Sequence, residues 1–125
     1  MIVGLGVDLV GIARIRSVLN RQGERFWQRV CSPEERAYCL AAADPAERLA
    51  GRWAIKEATM KALGTGWAQG VSFTDIIFLP TPTGAPALAL TGQALARAKL
   101  LGANRWLATL SHSDGMAVAV ALLEG

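Results

Sequence analysis

The chain has 125 residues, 52% of them hydrophobic and 18% charged, which suits one globular domain and excludes both a disordered chain and two domains. Its net charge of +3 fits an acidic protein partner or a phosphorylated ligand. No run of Lys and Arg interleaved with aromatics points to nucleic acid, and no apolar run reaches the length of a membrane span. The opening MIVGLGVDLV lacks a basic n-region and carries Asp8, so it does not read as a signal peptide; a soluble, cytoplasmic protein is expected. Cys31 and Cys39, at a spacing that matches no zinc or redox motif, read as two reduced structural cysteines.

In chain order, Ile2 to Val10 predicts a buried strand. Gly11 to about Arg21 has helical spacing, with Ile12, Ile15 and Leu19 on the face that packs on a sheet. Ser32-Pro33-Glu34-Glu35 is a capping box with proline at the first helical position. Asp44-Pro45-Ala46-Glu47 repeats that logic for a longer helix through Trp53 and Met60 to Leu63, capped by Gly64. Phe73 to Leu79 is a strand ended by Pro80, and the turn Pro82 to Pro86 leads into a second strand, Ala87 to Leu90. Thr91 to Leu101 is helical and closes at Gly102; Trp106 to Ser111 and Met116 to Leu123 form a hairpin across Ser113-Asp114-Gly115. The order implies a single α+β domain over residues 1–125, with a mainly antiparallel sheet and helices on one face.

Four positions carry chemistry, each with a plainer alternative. Asp8 shares a strand face with Gly4 and Gly6, where a bulky ligand could come close; taken alone it reads first as a cap for the helix near Gly11. Glu57 lies at helical spacing with Trp53 and Lys61, on a face with Leu49 and Ala50 that should look inward. It reads either as half of a surface Glu–Lys pair or as a buried carboxylate that needs a cation. Together Asp8 and Glu57 would be two hard oxygen ligands for Mg²⁺, although spacing does not bring them together. Gly64-Thr65-Gly66 reads first as a glycine cap and turn, and second as exposed amides for a phosphate. His112, between Ser111 and Ser113 at a strand end, is equally a structural histidine or part of a phosphate site.

Gly6-Val7-Asp8 followed by Trp53-Ala54-Ile55-Lys56-Glu57-Ala58-Thr59-Met60-Lys61 resembles the split signature of the 4′-phosphopantetheinyl transferases. More closely, the chain is similar to their short holo-acyl-carrier-protein synthase group, through Ala50-Gly51-Arg52-Trp53, Gly64-Thr65-Gly66, the Gly84 to Pro86 turn and Leu110-Ser111-His112-Ser113. The resemblance implies transfer of 4′-phosphopantetheine from coenzyme A to a serine of an apo acyl carrier protein, for fatty acid biosynthesis. It implies that Asp8 and Glu57 hold Mg²⁺, and that Lys61 contacts the phosphates and stabilises or protonates the leaving group. Glu57, or in competition His112, would take the serine proton. Arg52, Gly64, His112 and Ser113 would line the coenzyme A cleft, with Gly84 and Pro86 at its adenosine end.

The similarity has departures: Trp53 stands where phenylalanine is usual, Thr83 where asparagine is frequent, and Met116 where tyrosine is common. The stretch from Ala41 to Ala46 is nearly uncharged with only Arg48 close, so no residue is assigned to the 3′-phosphate. The resemblance further implies a homotrimer with clefts between subunits, and a first helix that meets the acidic carrier protein. Arg14, Val18, Arg21 and Arg25 form one stripe on that helix, of which Arg14 and Arg21 are the expected docking residues because Gly23 interrupts the run. Two rivals remain at this point, a metal-dependent phosphohydrolase and a small basic binding module.

Overall fold

The computed structural model describes residues 1–65 and 70–125; Gly66, the last member of the Gly64-Thr65-Gly66 turn, lies outside the described residues. Strand β1 (Ile2–Gly11) is followed by helices α1 (Ile12–Gln22), α2 (Glu24–Val30), α3 (Pro33–Leu40) and α4 (Pro45–Leu63). Strands β2 (Ile76–Pro80) and β3 (Pro86–Leu90), helix α5 (Gly92–Leu100) and strands β4 (Arg105–Ser113) and β5 (Met116–Glu124) complete the chain. The α+β expectation holds, with the strands divided into two antiparallel sheets: β1-β5-β4 and the separate hairpin β2-β3.

The long helix α4 lies across one face of the three-stranded sheet, and its contact with β1 is made by backbone. A Cβ on Gly6 would sit 1.9 Å from the Ala58 carbonyl oxygen, and one on Gly4 would sit 2.3 Å from that of Ala62. The two glycines therefore admit the helix, and not a ligand as the sequence suggested. Leu49, Ala50, Ala54, Ile55, Ala58 and Leu63 of α4 are fully buried, as are the alanines and Leu123 of β5, on which α4 packs. The opposite face of the sheet carries Leu5, Val7, Leu9, Leu107, Val118 and Val120, all exposed; Leu5 is 64% accessible and Leu9 62%.

Several boundaries differ from expectation for local reasons. Gly23, at φ 55°, ends α1 and starts α2, whose Phe26, Trp27 and Val30 are buried. Ile12 and Ile15 are buried as predicted, but α1 packs more on α4 than on the sheet. Phe73–Asp75 is a single 3₁₀ turn and not strand, because the Ser72 and Asp75 side chains form a capping box there. Ser32 and Glu35 make the predicted capping box of α3. Asp44 does not cap α4 with its side chain; its two oxygens instead take bonds of 2.8 Å each from Arg16. That pairing holds the Asp44 carboxyl below its ordinary range. The β4–β5 hairpin turns through Asp114 and Gly115, both at positive φ. Cys31 and Cys39 are free and buried.

Candidate active site

The first cluster lies where β1 meets α4. A cavity of about 400 Å³ is lined by Asp8, Leu9, Val10, Arg14, Arg29, Trp53 and Glu57. Asp8 does not cap α1: its Oδ1 accepts from Lys61 Nζ at 3.3 Å, and the same ammonium donates to the Val7 carbonyl at 3.0 Å. The Trp53–Glu57–Lys61 line runs along the edge of the buried face of α4 and does not point fully inward; Lys61 is more than half exposed. Burial raises the Glu57 carboxyl above its ordinary value, and the Asp8 charge raises it further, while Lys61 and Arg14 act in the opposite direction. Two carboxylates thus face one space with only partial compensation. That arrangement fits Mg²⁺, which takes one or two carboxylates and completes its shell with water and phosphate oxygens. Among the described residues no group of three acidic, histidine or cysteine side chains gathers anywhere, so a cation held by protein alone is not offered.

The second cluster lies on the other side of α4, between that helix, α3 and the β2–β3 hairpin. A cavity of about 560 Å³ is lined by Tyr38, Arg48, Arg52, Phe78, Gly84, Pro86 and His112 among others. Arg52 is 5% exposed; its Nε donates to the Phe78 carbonyl at 3.3 Å and one terminal nitrogen donates to the Arg48 carbonyl at 3.2 Å. Its guanidinium lies 4.9 Å from the Tyr38 ring and 5.3 Å from the Phe78 ring, and that of Arg48 lies 4.1 Å over Tyr38. Burial lowers the Arg52 pKa from its ordinary value. An adjoining cavity shares His112, Asp44 and Glu47 and adds Arg16 and Ser113.

His112 Nε2 stands 3.2 Å from the Glu47 carbonyl oxygen. A carbonyl only accepts, so Nε2 carries the proton and Nδ1 is left as the nitrogen able to receive one. Gly51 leaves room for this approach, since a Cβ there would lie 3.2 Å from the imidazole, a tight contact.

The predicted residues therefore fall into two groups that one chain does not unite. Arg52 and Glu57 are five residues apart, which turns them roughly 140° from each other around the helix. Gly64, at φ 73°, ends α4 with its amide bonded to the Lys61 carbonyl at 3.1 Å, and lies near Arg97. It is roughly 25 Å along the helix axis from Glu47, where His112 docks. Arg14 and Arg21 are both exposed on α1, but Arg14 also borders the carboxylate cavity. Sequence reasoning missed Tyr38, and it left Arg48 without a role although Arg48 proves to line the basic cleft.

The sequence matches the 4′-phosphopantetheinyl transferase superfamily over residues 4–121. It is 50% identical to the holo-[acyl-carrier-protein] synthase of Solidesulfovibrio magneticus over 125 residues, all of both chains. The fold superposes with a TM-score of 0.88 on the crystal structure of holo-[acyl-carrier-protein] synthase from Neisseria meningitidis, at 33% identity and full coverage of both chains. The Helicobacter pylori enzyme in complex with coenzyme A matches at a TM-score of 0.83 and 32% identity, over 96% of this chain and 99% of that one. The chain belongs to the 4′-phosphopantetheinyl transferase superfamily. Within it, the full-length similarity is to the holo-[acyl-carrier-protein] synthases.

Proposed function

We propose that the chain transfers 4′-phosphopantetheine from coenzyme A to a serine of an apo acyl carrier protein, releasing adenosine 3′,5′-bisphosphate. The reaction is Mg²⁺-dependent and serves fatty acid biosynthesis in the cytoplasm. The observation that carries this reading is the division of α4: a carboxylate pocket on one side and a basic, aromatic cleft on the other. Phosphoryl transfer asks a protein for positioning and charge neutralisation above all, and these two surfaces supply one each.

In the transfer, the serine oxygen forms a bond to the pantetheine-bearing phosphorus and the pyrophosphate P–O bond breaks. Asp8 and Glu57 would hold the Mg²⁺, which when bound neutralises charge on the pyrophosphate oxygens. Lys61, long and more than half exposed, swings from Asp8 to the phosphates and stabilises the bisphosphate leaving group. Glu57, through a water in the site, takes the serine proton. His112, its Nε2 held against the Glu47 carbonyl, acts as a wall of the cleft. Arg52, with Arg48 beside it, faces the phosphate of the adenosine end, Gly84 and Pro86 border the base, and Ser113 and Gly64 contact the nucleotide and pyrophosphate.

Because one chain separates these groups, the complete site is composite. The exposed apolar face of β1, β4 and β5 is the surface through which copies assemble, as a homotrimer, so that the carboxylates of one subunit meet the cleft of another. The activity is tested by the intact mass of an apo acyl carrier protein incubated with this chain, coenzyme A and Mg²⁺. One added phosphopantetheinyl group, absent with EDTA, is expected. An unchanged carrier protein with the metal present contradicts the assignment.

A further inference from the structure

Lys56 and Glu35 stand apart from both clusters, and both are 0% exposed. Lys56 Nζ donates to Glu35 Oε1 at 2.7 Å and to the carbonyls of Phe73 and Ile76 at 2.9 and 2.6 Å, which uses all three of its protons. Glu35 Oε1 also accepts from the Ser32 amide at 3.0 Å, and its Oε2 accepts from the Phe78 amide at 3.0 Å. An interior ion pair contributes little to stability when compared with apolar residues of the same size. What this pair does is join α3, α4 and β2 at one point, directly behind the basic cleft.

Those three elements are the walls of that cleft. Tyr38 stands one turn beyond Glu35 on α3, Arg52 stands one turn before Lys56 on α4, and Phe78 is bound by Glu35 through its amide and by Arg52 through its carbonyl. Gly84 and Pro86 belong to the same hairpin as Phe78, closed by the pairing of Pro80 with Pro86. We infer that the Glu35–Lys56 pair positions the coenzyme A cleft, by fixing β2 and its hairpin against Tyr38 and Arg52. The inference rests on the reading of that cleft as the coenzyme A site. Both groups are positioning residues, buried out of reach of substrate. Burial lowers the Lys56 pKa and the Glu35 charge opposes that fall.

Glu35→Gln separates positioning from folding. The Oε1 position faces two donors, Lys56 and Ser32, and the Oε2 position faces one, Phe78. The amide oxygen takes the first place and its NH₂ then meets the Phe78 N–H, so β2 loses its bond at Phe78 while Lys56 keeps its partners, the Ile76 carbonyl among them. The expected result, measured well below the melting temperature, is a KM for coenzyme A raised roughly tenfold, with kcat and the KM for carrier protein within about twofold of wild type. Should that variant not fold, Glu35→Gln with Lys56→Gln removes both charges from the interior and carries the same expectation.

An unchanged KM for coenzyme A, or kcat and both KM values worsening together, overturns the inference and leaves a purely structural pair. Arg52→Ala run in parallel distinguishes the underlying reading. If it too leaves the KM for coenzyme A unchanged, the cleft is not the coenzyme A site and both statements fall.

Discussion

Lys56 and Glu57 are neighbours in sequence and opposites in environment. Lys56 has each of its protons on an acceptor and lies in the interior beside the Glu35 carboxylate. Glu57, turned to the half-open side of the same helix, shares a cavity with Asp8 and is only partly offset by Lys61 and Arg14. The satisfied pair joins elements in the interior, whereas the Asp8 and Glu57 carboxylates, offset only in part, are the ones proposed to hold a cation. A polar group buried and complete belongs to the architecture; one that is crowded and incomplete belongs to the chemistry.

The largest effect should come from breaking the satisfied side. Lys56→Met leaves the Glu35 carboxylate uncompensated in the core and should cost about 3–5 kcal/mol in a denaturant titration. A variant as stable as wild type would show that the interior pair has no anchoring role. Asp8→Ala and Glu57→Ala should do the reverse, leaving the melt near that of wild type while transfer falls about a hundredfold or more, the scale of a positioned charge in such a site. Carrier-protein mass spectra measure the loss, and near-normal turnover by either variant would remove the metal assignment.

Next in size is the docking stripe. Arg14→Glu with Arg21→Glu should raise the KM for carrier protein strongly, and salt should hurt wild type more than the double variant. Because Arg14 also borders Glu57, Arg21→Glu alone separates docking from chemistry, with a raised KM and an unchanged kcat. An unaffected KM at low salt would make the stripe solvated surface only.

The smallest effect concerns Glu57 without metal. Its folded pKa is raised, so the folded chain keeps the proton to a higher pH than the unfolded chain does. Stability therefore falls as pH rises through and above the ordinary carboxylate range. Glu57→Gln should melt slightly higher than wild type at pH 7 in EDTA, and the two should converge once the pH drops below that range. A variant that melts lower at pH 7 would mean that Glu57 is satisfied after all.

Much of this was legible in the sequence, because the signals were local. The capping box at Ser32, the glycine cap at Gly64 and the Asp114-Gly115 turn each fix a boundary by backbone chemistry, and helical spacing aligned Glu57 with Lys61. What was not legible depended on contacts far apart in the chain. Nothing near Gly4 and Gly6 announces that α4 will rest on them, and Asp44 reads as a cap until Arg16, 28 residues away, claims it. Glu35 was read only as the closing residue of a capping box, a role it has, and its bonds to Lys56 and Phe78 lie outside any local pattern. The separation of Glu57 from Arg52 could have been drawn from the helical wheel, since five residues place them on different sides.

A hetero-oligomer of two variants, assayed at a coenzyme A concentration where neither alone is active, tests most directly whether one active site draws on two subunits. Asp8→Ala and Arg52→Ala carry their lesions in different halves of the proposed site, so coexpression with distinct tags and purification through both yields mixed assemblies. These should contain some interfaces where an intact carboxylate pocket meets an intact cleft, and they should regain a measurable share of holo-carrier-protein formation that neither variant shows alone. Mixed assemblies as inactive as each variant alone, or a wild-type chain that sediments as a fully active monomer, would contradict the composite site.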